Sequence, residues 1–211
     1  MKLTIFGATG GTGSHVVQQA CADGHDVIAV VRNPARLAAD RPNLTVLQAN
    51  LMDPAAIAAA VAGCDAVISA VGSRDGRAPT SVCTDSAAAI VAAMREHGTR
   101  RLVVVSNSGM HIDEADGPVS RFAVKPILGR VLKHSFADMR RMEELVRASG
   151  LAWTIVRPPM LTKGPRTGRY RTAINHNVRG GNRVSRADLA VQLLRCLSDE
   201  RTVQATVSIG N

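Results

Sequence analysis

A doubly wound α/β domain on a parallel sheet is what this sequence predicts, and three observations carry the prediction. Short runs of Val, Ile, Leu and Ala alternate with helical stretches along the whole chain. Gly, Asn, Asp or Pro marks most of the junctions between them. The chain also opens on an apolar run, Lys2–Phe6, that enters a glycine turn with glycines at 7, 10 and 13. Strands buried on both faces read as continuous apolar runs. With one Trp, one Tyr and three Phe in 211 residues, their core must be aliphatic.

The glycine turn is the first element with a chemical reading. Gly7 lets the chain leave the strand sharply, Gly10 lets backbone approach a pyrophosphate, and Gly13 lets the next helix pack close. The turn residues Gly7, Thr9, Gly10, Gly11, Thr12 and Gly13 would then cradle a dinucleotide's phosphates. The helix from Gly11 towards Asp23 would aim its free N–H groups and positive dipole end at them. A glycine triplet alone is weak evidence, because turns commonly use glycine. The strand–turn–helix–strand order strengthens it.

The second strand, Asp26–Arg32, follows a helix stop at Gly24. About 20 residues beyond the turn, an acid would bind the ribose 2′-hydroxyl of NAD. Arg32 stands there, with Arg36 nearby. A guanidinium grips a phosphate through paired hydrogen bonds, so the expected cofactor is NADP(H). The bland alternative is an exposed arginine after a strand. Pro34 opens a short helix.

The third strand is Leu44–Gln48, and Asn50 and Leu51 fall where an adenine would lie. Asp53 reads as an N-cap for the helix Pro54–Ala62. A fourth strand, Ala66–Val71, brings Ala70, Val71 and Gly72 beside the phosphate turn. A polar loop with two arginines, Ser73–Pro79, leads to a helix over Thr80–His97. The fifth strand, Arg101–Ser106, ends at Ser106-Asn107-Ser108-Gly109, where open parallel sheets place chemistry.

From Met110 to Lys133 the pattern breaks. The expectation is a mobile active-site loop with a helical turn near Pro126–Leu132. A helix over Ser135–Ser149 and a strand over Ala152–Arg157 follow, closed by Pro158-Pro159. Loop and short strand then lead to a helix over Arg186–Ser198 capped by Ser185, and a final strand, Ala205–Ile209. One domain over residues 1–211 is expected, with active-site loops near 107–133 and 160–184 and no separate substrate domain.

Charge and cysteine usage narrow the partners. Net charge is +9. Lys163, Arg166, Arg169, Arg171, Arg179, Arg183 and Arg186 fall between Leu161 and Ala187 with no acid among them. Such a stretch is either a solvated basic face or an attractor of an anionic small molecule. Nucleic acid is disfavoured, because no nucleic-acid-binding signature accompanies it. Cys21, Cys64, Cys83 and Cys196 form no C-x-x-C pair and read as reduced, buried thiols of a cytoplasmic protein. No apolar run reaches about 18 residues, so no membrane span is expected. The N-terminus shows no signal-peptide pattern. The histidines have no metal-ligand spacing, so no metal is expected.

Together GATGGTG (7–13), VRNPARL (31–37), VVVSNSG (103–109), SGLAWTIVRPPMLT (149–162) and VSRADLA (184–190) resemble the atypical short-chain dehydrogenase/reductase family. The likeness is to its compact NAD(P)H-binding branch, which includes biliverdin reductase B (flavin reductase), and covers nearly the whole chain. It implies a Rossmann-like domain, a monomer, and NADPH along the sheet's C-terminal edge. It places Ser106 near the nicotinamide and Pro158, Pro159 and Met160 beside its ring.

The Tyr-x-x-x-Lys pair of the larger family is missing. The only tyrosine is Tyr170, whose fourth successor is Ile174. Met139 stands where the flavin-reductase branch carries a histidine. Ketone reduction through a phenolic donor is thus disfavoured. Hydride transfer to a flavin-like or quinone-like acceptor is the leading expectation, with Ser106 donating a hydrogen bond and His111 as a candidate acid. The alternative is a non-catalytic NADP(H)-binding sensor. An epimerase or dehydratase is disfavoured by the missing tyrosine.

Overall fold

The structure is a computed structural model and describes residues 1–37, 41–73 and 78–211. The arginines expected in the loop after β4, Arg74 and Arg77, lie outside the described residues.

The opening run forms β1 (Lys2–Phe6), and the turn feeds α1 (Gly11–Ala22). β2 (Asp26–Val31), β3 (Leu44–Gln48) and β4 (Ala66–Ser69) pair in parallel around β1 in the order β3-β2-β1-β4. β5 (Arg101–Val105), β6 (Ala152–Arg157) and β10 (Ala205–Gly210) extend the sheet in parallel from β4. The strand order thus reverses between β1 and β4, the switch point where open α/β sheets form a ligand crevice.

Helices cover both faces. α1 packs with α6 (Arg186–Ser198) over one aliphatic layer that includes Ile5, Val16, Ile68, Leu189 and Ile209. On the other face α2 (Pro54–Val61), α3 (Val82–Glu96) and α5 (Lys133–Arg147) enclose Phe6, Ile57, Ile90, Met94 and Ile155. Met139 packs against this second layer. The caps follow the sequence signals: Asp53 accepts from Ala55 N, and Ser185 accepts from Asp188 N.

Two features depart from expectation. The sheet is not wholly parallel: β8 (Arg171–Ile174) adds antiparallel to β10 as an edge strand, and β7 (Met160–Thr162) pairs with β9 (Arg183–Ser185) in a separate ribbon. The segment expected as loop is more helical than that: Ser108–Met110 is a 3-10 turn and Ser120–Val124 a π-helical turn, whereas α4 (Lys125–Val131) falls at the helical turn expected near Pro126–Leu132. Side chains pin this insertion. The buried Lys125 ammonium is 2.6 Å from Asp116 Oδ1, and the Asn177 amide reaches the His111 carbonyl at 3.1 Å and Asp116 Oδ2 at 3.2 Å.

Candidate cofactor and active site

The glycines of the first turn are fixed by close approach. Gly7 has φ +77°, and a Cβ there would sit 2.6 Å from the Ala70 carbonyl oxygen. A Cβ on Gly13 would fall 2.1 Å from the Gly7 carbonyl oxygen, so α1 could not reach the strand with any larger residue. Gly10 has less need of its hydrogen from the protein side, its nearest neighbour being 3.1 Å away. Gly10 also caps α1 without a side-chain acceptor, and no acid lies in that helix's first turn. The first N–H groups of α1 are therefore left for an external anion.

A feature invisible in the sequence adds to this turn. The Arg186 side chain lies across Gly11, its Cδ and Nε 2.9 Å from where a Cβ would stand. One member of the basic stretch thus comes to the head of α1, while Lys163, Arg166, Arg169, Arg171, Arg179 and Arg183 are exposed. Arg32 and Arg36 are exposed just beyond β2, where the second-strand reading puts them. Asn50 is exposed and caps its own turn through Met52 N, whereas Leu51 is 9% exposed within the core. Gly72 faces open space beside Ala70 and Val71.

The end of β5 meets the end of β6. Ser106 N donates to Val156 O, and Ser108 N to the carbonyl of Pro158, which is buried beside the exposed Met160. Ser106 and His111 meet here through a residue the sequence did not single out. Ser106 Oγ donates to Glu143 Oε1 at 2.7 Å, and His111 Nε2 lies 3.3 Å from the same oxygen. Arg157 Nε donates to that oxygen at 2.9 Å, and Arg147 to Oε2 at 3.0 Å. Glu143 is 1% exposed. Burial pushes its carboxyl up, but hydrogen bonds from His111, Arg157 and Ser106 and the Arg157 charge outweigh that and hold it well below the usual carboxylate range.

This changes the role of Ser106. A hydroxyl has one proton to give. That proton goes to Glu143, so Ser106 offers a ligand only lone pairs and is not the donor expected. Tyr170 takes no part: its hydroxyl accepts from Arg195 on α6. The cysteines are all buried, and burial followed by the Asp138 carboxylate pushes the Cys83 thiol up to about 12. Among the described residues no His, Cys, Asp and Glu group is arranged to hold a metal, and no helix is long and apolar enough to cross a membrane.

Comparison with known proteins gives the family and the fold. A family model described as NAD(P)H-binding matches residues 7–200. The chain belongs to this NAD(P)H-binding family. As such it is an NAD(P)-binding protein related to the atypical short-chain dehydrogenases/reductases and to their oxidoreductases. It is 33% identical over 209 residues to the uncharacterized sugar epimerase YhfK of Bacillus subtilis, covering 96% of this chain and 90% of that protein. It is 30% identical over 156 residues to a (4-alkanoyl-5-oxo-2,5-dihydrofuran-3-yl)methyl phosphate reductase of Streptomyces griseus, covering 74% of this chain and 46% of that one. The fold matches a short-chain dehydrogenase/reductase of Veillonella parvula solved in complex with NADP. The TM-score there is 0.83 at 20% identity, covering 100% of this chain and 94% of that one.

Proposed function

We propose that this family member is an NADPH-dependent reductase of a flavin-like or quinone-like conjugated acceptor. The observation that carries the reading is the pair of charged features at the two ends of the sheet edge. Exposed Arg32 and Arg36 suit a 2′-phosphate, and the Ser106–Glu143–His111 cluster suits proton handling at the far end. Gly11 and Thr12, at the start of α1, offer backbone N–H groups to the pyrophosphate while the Gly10 N–H closes the turn on Gly7 O, and Arg186 lies close enough to share it. The cofactor, when bound, supplies a hydride. Ser106 accepts a hydrogen bond from the nicotinamide amide or the acceptor, and His111 holds the proton that completes the acceptor's reduction.

The surroundings suit a flat, apolar acceptor with an anionic group. Met160 is 65% exposed at the ring end, and Leu128 of α4 approaches Gly109. Phe122 and Ile127 expose apolar surface nearby on the same insertion. The basic stretch would meet the anion. The Streptomyces relative, by its name a reductase of a phosphate ester, supports this charge preference.

The test is loss of the dihydronicotinamide absorbance with FMN, riboflavin and simple quinones, beside direct NADPH binding. Turnover with one acceptor class is the expected result. Tight NADPH binding with no turnover across the panel would move the assignment to the sensor reading.

A further inference from the structure

We propose that Glu143 is the positioning residue of the reducing site, holding Ser106 and His111 so that His111 delivers its proton from Nδ1. The inference rests on the reductase reading for its chemistry, but its geometry stands alone.

A carboxylate only accepts hydrogen bonds. The group within reach of Glu143 Oε1 at 3.3 Å is His111 Nε2, so in the neutral ring Nε2 carries the hydrogen. Nδ1 makes no hydrogen bond among the described residues, and the side chain is 27% exposed. The imidazole is thus held from behind by one nitrogen and presents the other. On protonation both nitrogens donate, and the proton that leaves is the one on Nδ1. Hydride reaches the acceptor from the reduced cofactor, the Nδ1 proton goes to the acceptor's heteroatom, and solvent reprotonates the ring. The acceptor gains two electrons and two protons, one within the hydride and one from Nδ1, and the cofactor leaves oxidised.

The charges around His111 show what Glu143 must do. Arg147 from α5 and Arg157 from β6 both face the carboxylate. Lys125 from α4 places its ammonium on the His111 carbonyl while paired with Asp116, and Arg140 donates to the Met110 carbonyl. Asp113 accepts from Asn177 N. The acids in this shell other than Glu143 therefore have partners of their own. Take Glu143 away, and His111 would be protonated in front of an uncompensated Arg157. Purely structural pairing of Glu143 with Arg157 would explain the two-oxygen contact. It would not explain why Ser106 and His111 converge on the same oxygen.

The test is histidine NMR on the intact protein, with the His111 signals assigned by His111→Gln. Wild type should show the Nε2–H tautomer at high pH. In Glu143→Gln, whose amide can donate as well as accept, the ring should lose that preference and populate both tautomers. If Glu143→Gln does not fold, Glu143→Gln/Arg157→Met removes the carboxylate and its guanidinium partner together, and the same loss of preference is expected. An Nδ1–H tautomer in wild type, or an unchanged tautomer preference in the folded variant, overturns the proposal. Where an acceptor turns over, kcat should drop about 100-fold with the KM for NADPH little changed. A kcat that survives the substitution also overturns it. The NMR result stands whether or not any acceptor is reduced, so failure of the reductase reading is separable from failure of this one.

Discussion

At the scale of single residues, contacts within ångströms decide the outcome. Gly13 would put a Cβ 2.1 Å from a backbone oxygen that cannot move without dragging the turn, so Gly13→Ala should cost about 1–3 kcal/mol in denaturant unfolding and weaken cofactor binding as well. On the proposed function, Arg32 meets the cofactor's 2′-phosphate through charge rather than space. Arg32→Glu should weaken NADPH binding by about 10- to 100-fold and NADH binding far less. Equal loss for both in titration would remove the 2′-phosphate role. The two glycines at 7 and 13 were legible in the sequence because their jobs are local. Glu143 was not. Its partners lie 37 residues away at Ser106, 32 at His111 and 14 at Arg157, and only the fold joins them. Glu143 follows Met142 in an ordinary helix, so nothing local set it apart from Glu144. Arg186 escaped for the same reason: its partner is Gly11, at the other end of the chain.

At the scale of elements, the strands were legible and the insertion between β5 and α5 was legible only at the helical turn that became α4. β1 and β6 have the bounds their apolar runs dictate, because a central strand buried on both faces leaves little choice of residue, and the more exposed edge strand β3 keeps the bounds of its own run as well. The segment 110–132 lacks that constraint. Its helices expose Val119, Phe122 and Ile127, and it is held by polar side chains rather than by an apolar face. The antiparallel β8 was hidden similarly, since exposed Arg171 and Thr172 give it no strand pattern. The anchor of the insertion is the Lys125–Asp116 pair, with side chains 8% and 9% exposed. Breaking such a pair by removing one partner leaves a buried charge and costs about 3–5 kcal/mol. Lys125→Met should therefore release the insertion locally. Hydrogen exchange over residues 111–125 should accelerate strongly while β1, β5 and β6 keep their protection. Unchanged exchange there would mean that the pair does not hold the segment.

At the scale of the whole molecule, the buried carboxylates couple the fold to pH. Glu143 and Asp188 are each 1% exposed. For Asp188, burial pushes the carboxyl up, but hydrogen bonds from Thr167, Gly168 and Ser185 prevail and hold it below its ordinary value. Glu143 is held down likewise. Asp188 ties the loop after β7 to the head of α6, and Glu143 ties α5 to the ends of β5 and β6, so the two act on opposite faces of the sheet. A carboxyl lowered on folding binds fewer protons in the folded state than in the unfolded one. Its contribution is then fully present above the unfolded values, 4.5 for Glu143 and 3.8 for Asp188, and is lost as pH falls through and below them. Stability measured by denaturant should accordingly hold near pH 6–7 and decline steeply below about pH 4.5. The variant Glu143→Gln should be less stable at neutral pH and should show a shallower acid decline, because the group that titrates is gone. If wild type and variant lose stability in parallel below pH 4.5, the acid sensitivity belongs to other carboxylates, and the Glu143 cluster does not bind the two halves of the sheet edge together in the way its geometry suggests.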